Sequence, residues 1–259
     1  MKASTLAQLK VLLDDRVALY NQPVFIESDP ISVPHQYTRL QDIEIVALWT
    51  AVFSWGLRKT IINKANELFA LMDHAPYDFV MHHSDEEAKR LLQFVHRTFQ
   101  PTDTLYFLHF FRNYYSENDS LQSAFTRHTD VASPSVKEML TGFHRIFFDS
   151  EWAPKRTRKH IATPARGASC KRLNMFLRWM VRRDASGVDL GLWHDISTAD
   201  LMIPLDVHVM RVAHRLGLLT RDKSDWKAVE ELTSQLRLMD PKDPVKYDYA
   251  LFGMGVMEP

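Results

Sequence analysis

Apolar residues recur every three or four positions along most of the chain, and alternating runs of β-branched residues are scarce. A spacing of three to four places apolar side chains on one face of an α-helix, whereas strands alternate with a period of two. The pattern therefore predicts an all-α fold. Neither an internal repeat nor a low-complexity linker is visible, so we expect one compact unit over residues 1–259.

Four segments in the first half of the chain are distinct helix predictions. Residues 42–55 are apolar nearly all round, as in a helix at the centre of a bundle, whereas residues 61–72 and 136–147 are apolar on one side. Residues 105–115 are rich in aromatic side chains. Such a stripe could stack on nucleic-acid bases, but aromatic residues at helical spacing usually fill a core. Core packing is therefore the expectation for this segment.

The second half of the chain has clearer helix boundaries. Residues 149–168 and 184–198 contain glycine or proline and are expected to be irregular connections. A helix is predicted from Lys171, with Arg178 and Arg182 on the face opposite its apolar stripe. Further helices are predicted between Asp206 and Gly217, over residues 226–236, and from Asp243-Pro244 onward.

The composition is that of a soluble globular protein, with 46% hydrophobic residues, 25% charged residues and a net charge of zero. The single cysteine, Cys170, excludes a disulfide framework within the chain and any four-cysteine metal or iron–sulfur site. No apolar run is long enough to span a bilayer, and charged residues interrupt residues 1–16, unlike a secretory signal. We therefore expect a cytoplasmic protein that does not enter a membrane, and we expect a monomer.

Positive charge is concentrated in one part of the chain. Residues 153–183 contain ten Lys or Arg and no Asp or Glu, although the chain as a whole is neutral. A local cationic surface is typical of proteins that bind an anionic polymer such as nucleic acid. A solvated basic surface without a partner is the alternative for each of these residues. Lys171 lies within this run, and Asp206 follows it after the apolar approach Ile203-Pro204-Leu205.

Four segments, in this order, resemble the helix-hairpin-helix DNA glycosylase superfamily, of which endonuclease III is a familiar member. Residues 42–54, DIEIVALWTAVFS, followed by Asn63-Lys64-Ala65, are similar to its early pair of core helices. Residues 171–177, KRLNMFL, are similar to the helix that begins with its Schiff-base lysine. Residues 204–212, PLDVHVMRV, resemble the segment with its catalytic aspartate, and residues 247–255 resemble its final helix. The chain also resembles an uncharacterised bacterial family of unknown function.

The resemblance implies a fold and a reaction. The implied fold is a two-lobed helical bundle, with one lobe at about 42–200 and the other formed by about 1–41 and 201–259. The implied reaction is that of an N-glycosylase with abasic-site lyase activity in base-excision repair, acting on damaged or abasic duplex DNA. This chemistry needs neither a metal nor a cofactor.

The resemblance also implies roles for individual residues. Lys171 is the expected nucleophile, which forms an imine with the deoxyribose. Asp206 is expected to stabilise the positive charge that builds on the sugar, or to activate the attacking amine or water. Trp55 and Trp193 are candidates for lining a pocket for the extruded base. The residues expected to bind the DNA backbone are Arg156, Arg158, Lys159, Arg166, Gly167, Ser169, Arg172 and Arg178.

These assignments have simpler alternatives. Lys171 could be an ordinary exposed lysine, and Asp206 could be an ordinary N-cap that accepts a hydrogen bond from the amide of Val209. The two roles of Asp206 are compatible, because a cap fixes the position of the carboxylate. A metal site built from histidines such as His208 and His214 is disfavoured, because no spacing of His, Asp and Glu here matches a known ligand set.

The chain departs from the superfamily at the hairpin and at the residue that fills the gap left by the base. The hairpin usually has Leu-Pro-Gly-Val-Gly, whereas the aligned stretch here is Gly167-Ala168-Ser169-Cys170. Ser54-Trp55-Gly56 stands where endonuclease III has its gap-filling glutamine. Lys171 and Asp206 are 35 positions apart, nearer to the spacing of archaeal 8-oxoguanine glycosylases than to that of endonuclease III.

Two further hypotheses remain open, and these departures favour the first of them. The first is a non-catalytic nucleic-acid-binding protein that keeps the glycosylase fold. The second is an enzyme that acts on another nucleoside or nucleotide, which would have little salt-dependent affinity for duplex DNA.

Overall fold

The computed structural model describes residues 3–127 and 133–258, and these residues are all-α. They contain no β-strand and only isolated β-bridges, so the predicted fold class is confirmed. The α-helices of this part of the chain are α1 Ala3–Tyr20, α2 Val24–Ser28, α3 Leu40–Phe53, α4 Arg58–Ala70, α5 Pro76–His82, α6 Asp85–Ala88, α7 Pro101–Tyr115, α8 Gln122–Thr126, α9 Val136–Phe147, α10 Lys171–Val181, α11 Val207–Arg215, α12 Trp226–Met239 and α13 Tyr247–Met257.

The chain divides into two compact units. The central unit contains residues 28–162, and the terminal unit combines residues 1–27 with residues 163–259. This division differs from the lobe boundaries that the resemblance implies, at about 42 and 200. Short 3-10 helices within residues 30–36 pack on α3, and ion pairs join α10 to the segment that ends in α13. These contacts explain why residues 28–41 belong with the central unit and residues 163–200 with the termini.

The core of the central unit is built around α3. Eleven of its fourteen residues are buried, in agreement with its apolar pattern. The ring of Trp49 lies 5.7 Å from that of Phe107 and 5.1 Å from that of Phe111, between centroids. Both phenylalanines belong to α7 and are fully buried. The aromatic residues of α7 therefore fill the core, as predicted, and are not a surface for bases.

In the terminal unit, α13 packs against both α1 and α11. Two glycines permit these close approaches. A Cβ added to Gly253 would lie 2.2 Å from a ring carbon of Tyr20, and one added to Gly255 would lie 2.8 Å from the Cβ of His208. The backbones of α11 and α13 are therefore held close together, and this contact positions Asp206, which immediately precedes α11.

In residues 3–127 and 133–258, no helix combines the length and the apolar character needed to cross a bilayer.

Candidate functional site

Lys171 is the first residue of α10, and backbone contacts hold the loop before it. Cys170 has a left-handed conformation with φ of 51°, and no side chain caps the helix. The amide of Trp226 donates a hydrogen bond to the carbonyl of Gly167 at 3.0 Å, which ties the loop to the start of α12. The first-turn amides of α10 have no capping side chain, so the end of the helix favours negative charge beside Lys171.

Local contacts hold residues 167–170, the stretch that aligns with the hairpin of the helix-hairpin-helix glycosylases. Gly167 has φ of 75° and is exposed, and it follows the 3-10 helix Pro164–Arg166. The side chain of Asn174 donates to the carbonyl of Ser169 at 3.1 Å. The positive φ explains why a glycine stands at position 167, whereas Ser169 contributes its carbonyl to the packing of α10.

The side chain of Lys171 is partly buried beside its own helix. Its Nζ lies 3.6 Å from the Sδ of Met175, one turn further along α10. A thioether is a weak acceptor, so this contact leaves the charge of the amine largely uncompensated. Among the described residues, Lys171 forms no ion pair within 4 Å, unlike Arg178 two turns further along α10.

Asp206 is the N-cap of α11. Its Oδ1 accepts hydrogen bonds from the amide of His208 at 2.9 Å and from the amide of Val209 at 3.0 Å. The predicted cap is therefore confirmed. Residues 201–205 before it are buried, and the carboxylate itself is half-buried. Because both hydrogen bonds fall on Oδ1, the cap fixes the carboxylate without using Oδ2.

The contact between α11 and α13 is reinforced by polar groups. The carbonyl of Gly255 accepts a hydrogen bond from the guanidinium of Arg211 and lies 3.2 Å from Nδ1 of His208. Both residues belong to α11. The first turn of α11, and with it the Asp206 carboxylate, is thereby held against the last helix of the chain.

Asp248, the second residue of α13, lies near both Lys171 and Asp206. Its carboxylate is 6% exposed and accepts a hydrogen bond from Nη1 of Arg178. Burial raises the pKa of Asp248 to about 7, and the positive charge of Arg178 opposes this rise. The negative charge of Asp206 raises the same pKa, whereas the positive charge of Lys171 lowers it. Lys171 and Asp206 therefore share one electrostatic neighbourhood around the start of α13.

Arg178 was expected at the DNA backbone, but the structure buries it. Arg178 is 4% exposed, its Nε donates to Asp189 at 3.1 Å, and its guanidinium lies 4.4 Å above the ring of Tyr249. Two carboxylates, those of Asp189 and Asp248, occupy its donors. The expectation that Arg178 contacts phosphate is therefore corrected, because the guanidinium is committed inside the terminal unit.

Arg182, the C-cap residue directly after α10, is buried in the same network. It forms ion pairs with Asp189 at 3.0 Å, Asp243 at 3.0 Å and Asp184 at 2.7 Å. The face of α10 opposite its apolar stripe is consequently a second buried face. Acidic residues distant in the sequence provide the compensation that makes this burial possible.

Two of the expected DNA-binding cations of the terminal unit remain at or near its surface. Arg166 is exposed, at the end of the 3-10 helix before Gly167. Arg172 is half-buried, and burial lowers the pKa of its guanidinium to about 10. Both lie within five positions of Lys171 in the sequence, so the residues around the start of α10 are rich in positive charge.

The remaining expected cations belong to the 3-10 helix Lys155–Lys159 of the central unit. Arg156 donates to the buried carboxylate of Asp103 and to the carbonyl of Thr98. The guanidinium of Arg158 lies 4.9 Å above the ring of Phe148, and Lys159 is exposed. Arg156 therefore has an intramolecular role, whereas Lys159 lies at the surface of the central unit.

The two tryptophans expected at a base pocket differ in environment. Trp55 is half-buried after α3, and the guanidinium of Arg97 lies 5.5 Å from its ring. Trp193 is 2% exposed and packs edge-on against Phe176 at 5.2 Å. Trp193 is therefore a core residue, and its assignment to an open pocket is corrected.

No group of His, Cys, Asp and Glu side chains within residues 3–127 and 133–258 is placed to hold a metal ion. Histidines and acids do meet around a hollow of about 200 Å³ in the central unit, which is lined by His82, His83 and Glu87, among others. Acids around this hollow are paired with arginines; for example, Arg90 contacts Asp73 at 3.0 Å. None of the predicted site residues lines this hollow.

Two residues of interest were missed by the sequence analysis. Asp248 is the acid in the otherwise apolar stretch Tyr247–Leu251, and that isolation was a signal that it has a specific partner. Trp152 is 71% exposed and lies three positions before the start of the cationic 3-10 helix of the central unit. An aromatic residue beside four cations was a signal for a stacking surface.

Comparison with known proteins identifies a family. Residues 29–257 match the model of a family described as a protein of unknown function, DUF2400. No curated protein and no solved structure matches the chain. Because the family model covers most of its length, the protein belongs to the DUF2400 family.

Proposed function

We propose that this DUF2400 protein is a DNA N-glycosylase with abasic-site lyase activity, with Lys171 as the nucleophile and Asp206 as the electrostatic partner. One arrangement supports the proposal above the others: Lys171 at the start of α10 and Asp206 at the cap of α11 belong to the same compact unit, and the charges of both influence the pKa of the buried Asp248 carboxyl. An amine and a carboxylate that share one neighbourhood are the groups that imine formation at a sugar carbon requires. The resemblance to helix-hairpin-helix glycosylases is an analogy between sequence segments. It favours this reaction among the reactions that a lysine amine and an aspartate carboxylate could perform together.

Lys171 would act through its neutral amine. The nitrogen forms a bond to C1′ of the deoxyribose while the bond from C1′ to the base breaks, and the electron pair leaves with the base, which takes up a proton from water. The nitrogen then loses a proton to solvent, and its lone pair forms the C1′–N double bond while the bond from C1′ to the ring oxygen O4′ breaks; O4′ takes up a proton, which opens the sugar ring and leaves the protonated imine. Elimination then removes a proton from C2′ and breaks the bond from C3′ to the phosphate oxygen.

Asp206 would stabilise the positive charge that develops on the sugar. The cap hydrogen bonds from His208 and Val209 hold Oδ1, so the carboxylate is oriented before substrate arrives. Such an arrangement costs little reorganisation during the reaction, because the helix already positions the group.

DNA binding would depend on the exposed cations and on the uncapped start of α10. Arg166 and Lys159 are exposed, and Trp152 offers an aromatic surface for an unpaired base. Each phosphate that such a cation neutralises adds to the salt dependence of binding.

The test is covalent trapping with borohydride on duplex DNA that contains one abasic site. We expect wild-type protein to give a covalent adduct and Lys171→Ala to give none while retaining its affinity for the duplex. Lys227→Ala is the matched control, because Lys227 is an exposed lysine in the first turn of α12. This variant should form the adduct at the wild-type rate.

A second function, a non-catalytic nucleic-acid-binding protein, is favoured by the core position of Trp193 and by Ser169 in place of a hairpin glycine. Tight, salt-sensitive binding without any adduct on abasic or damaged DNA would establish it and reject catalysis. Trapping on a panel of single-lesion duplexes would also identify the base that the enzyme removes.

A further inference from the structure

Trp152 is an exposed aromatic residue on a turn that is tied to α7. The residue is 71% exposed, but its backbone is held in place. Its amide donates a hydrogen bond to Oγ of Ser150 at 3.2 Å, and the same hydroxyl lies 3.2 Å from Nε2 of His109 in α7. The amide of Ala153 donates to the carbonyl of Ser150 at 3.0 Å. The central unit therefore presents this indole to solvent on an ordered turn.

The 3-10 helix Lys155–Lys159, which follows this turn, directs its positive charge outward. Side chains three positions apart share a face of a 3-10 helix. Thr157 and the residue after the helix, His160, form the buried face, and they lie 2.7 Å and 3.3 Å from the carboxylate of Asp103 in α7. The two other faces consist of Lys155 with Arg158 and of Arg156 with Lys159. The contacts with Asp103 therefore fix which side chains of the helix face away from the core.

The indole and the exposed lysines lie close enough together to contact one short stretch of a polymer. Three positions separate Trp152 from Lys155, so their Cα atoms are at most about 11 Å apart. The rise of about 2 Å per residue separates Lys155 and Lys159 by about 8 Å along the helix. Both lysines are exposed. A planar group stacked on the indole would leave negative charges attached to it within reach of these long side chains.

Acidic residues restrict the cationic surface to one side of the indole. Asp149 and Glu151 are exposed just before Trp152, whereas residues 152–183 contain no acid. Arg156 is committed to the buried carboxylate of Asp103. The exposed positive charge of this segment therefore lies on the C-terminal side of Trp152, on the lysines of the 3-10 helix.

A second 3-10 helix of the central unit, Lys89–Gln93, shows the contrast. It also begins with Lys-Arg and exposes an apolar residue, Leu92. Its cations are paired with acids of the same unit, because Lys89 contacts Glu86 at 2.6 Å and Arg90 contacts Asp73 at 3.0 Å. This helix has no aromatic residue. It resembles the first in form but lacks the aromatic residue that could stack on a base.

We propose that Trp152, Lys155 and Lys159, here called the Trp152 surface, bind single-stranded nucleic acid, with the indole stacked on an unpaired base. An exposed ring can stack only on a free base face, and the neighbouring base pairs of a duplex cover those faces. The lysines would contact the phosphates beside that base. The proposal rests on the proposed function for nucleic acid as the class of ligand, and it does not depend on the chemistry of Lys171.

The experiment measures binding of the full chain to a fluorescein-labelled oligothymidylate of twelve nucleotides, and to a blunt duplex of twelve base pairs, by fluorescence anisotropy. Stacking on one aromatic side chain contributes about five- to hundredfold in affinity. We expect Trp152→Ala to weaken binding of the single strand at least fivefold and to change the affinity for the duplex less than twofold. Trp152→Phe retains a ring and should bind the single strand within about threefold of the wild type.

The lysines are tested by the salt dependence of binding to the same single strand. Lys155→Ala should reduce the magnitude of the slope of log K against log salt concentration by about 0.7, because one phosphate contact is lost. Lys89→Ala and Leu92→Ala are the matched controls, since they change an exposed cation and an exposed apolar side chain in the second 3-10 helix. Both controls should bind the single strand as the wild type does.

Three results would overturn the proposal. The first is binding of the single strand by Trp152→Ala with wild-type affinity, and the second is an equal loss of affinity for single strand and duplex. The third is competition by polyglutamate as strong as that by unlabelled oligothymidylate, which would indicate a surface for acidic polymers in general. Oligouridylate of the same length serves as the RNA ligand, and dependence on Trp152 with either sugar supports the proposal.

Borohydride trapping on abasic duplex DNA separates this proposal from the glycosylase. Loss of single-strand binding in Trp152→Ala, together with no adduct in the wild type, would retain the Trp152 surface and reject the lyase. An adduct in the wild type, together with unchanged single-strand binding in Trp152→Ala, would reject the Trp152 surface and retain the lyase.

Discussion

At the scale of single residues, Asp103 shows how a buried charge is accommodated in the central unit. This first-turn residue of α7 is fully buried, and its carboxylate accepts hydrogen bonds from Thr157 Oγ1 and from the amide of Gln100. Arg156 donates to the same carboxylate, and Nε2 of His160 lies 3.3 Å away. The basic segment Lys155–Lys159 is therefore anchored to α7 by an acid that precedes it by more than fifty positions.

Asp103 should contribute stability that is lost in acid. Burial alone would raise the pKa of Asp103, but the adjacent imidazole of His160 and hydrogen bonds from Thr157 and Gln100 lower it to about 2. A carboxyl with a lowered pKa stabilises the fold fully above its ordinary pKa of 3.8, and the contribution disappears as the pH falls toward 2. Asp103→Asn should therefore lose about 2 kcal/mol at pH 7 in urea unfolding.

The difference between Asp103→Asn and the wild type should narrow between pH 4 and pH 2.5. Asp78→Asn is the control, because Asp78 forms an exposed ion pair with Arg39 in the same unit. Exposed pairs contribute about 0–1 kcal/mol, so this variant should unfold nearly as the wild type does. A difference for Asp103→Asn that stays constant with pH would contradict the ionic role.

At the scale of elements, α10 and α11 behave differently from what their sequences indicate. The pattern of α10 predicts one buried stripe and one cationic face, but the ion pairs of Arg178 and Arg182 bury that second face. The pattern of α11 predicts an aspartate cap, and the structure has this cap with two amide hydrogen bonds. Short-range patterns therefore succeed where the partner is a neighbouring amide and fail where it is a distant carboxylate.

The two roles of Asp206 can be separated by two substitutions. Asp206→Ala removes the cap and should cost about 1 kcal/mol of unfolding free energy, as N-cap deletions do. Asp206→Asn retains an oxygen for the amides of His208 and Val209, so it should unfold within about 0.5 kcal/mol of the wild type. Both variants should lose adduct formation on abasic DNA, because both lack the charge. Wild-type trapping by Asp206→Asn would assign Asp206 to capping alone.

At the scale of the whole molecule, a neutral chain presents a local excess of positive charge. The run of residues 153–183 contains ten cations, which differ in exposure. Two are buried with carboxylates, Arg178 and Arg182; three are half-buried, Arg158, Lys171 and Arg172; five are exposed, Lys155, Arg156, Lys159, Arg166 and Arg183. Fewer cations are therefore exposed than the sequence contains, so each exposed cation would contribute a larger share of any binding to phosphate.

Duplex binding should depend on salt in proportion to the exposed cations that contact phosphate. Each contact contributes about −0.9 to the slope of log K against log salt concentration. We expect Arg166→Ala and Lys159→Ala each to reduce the magnitude of the slope by about one, measured by fluorescence anisotropy from 50 to 200 mM salt. Lys227→Ala, an exposed lysine outside the run, is the control and should retain the wild-type slope. A wild-type slope near zero would exclude phosphate binding.

Much of the fold was predictable because most helices have a clear apolar period. The central helix α3, the aromatic helix α7 and the start of α11 after Asp206 follow from local patterns. Short helices such as α5, α6 and α8 were not anticipated, because four to seven residues are too few to establish a period. The candidate site was predictable only as far as Lys171 and Asp206.

The amino-acid sequence by itself determined the all-α class, the cap at Asp206 and the local excess of positive charge, since each depends on residues within a few positions of one another. Only the tertiary structure decided which cations are available and which groups surround Lys171. Arg178 is neutralised by Asp189 and Asp248, and Trp193 is packed on Phe176. These contacts join segments up to seventy positions apart, and such pairings depend on how helices pack, which no local pattern encodes.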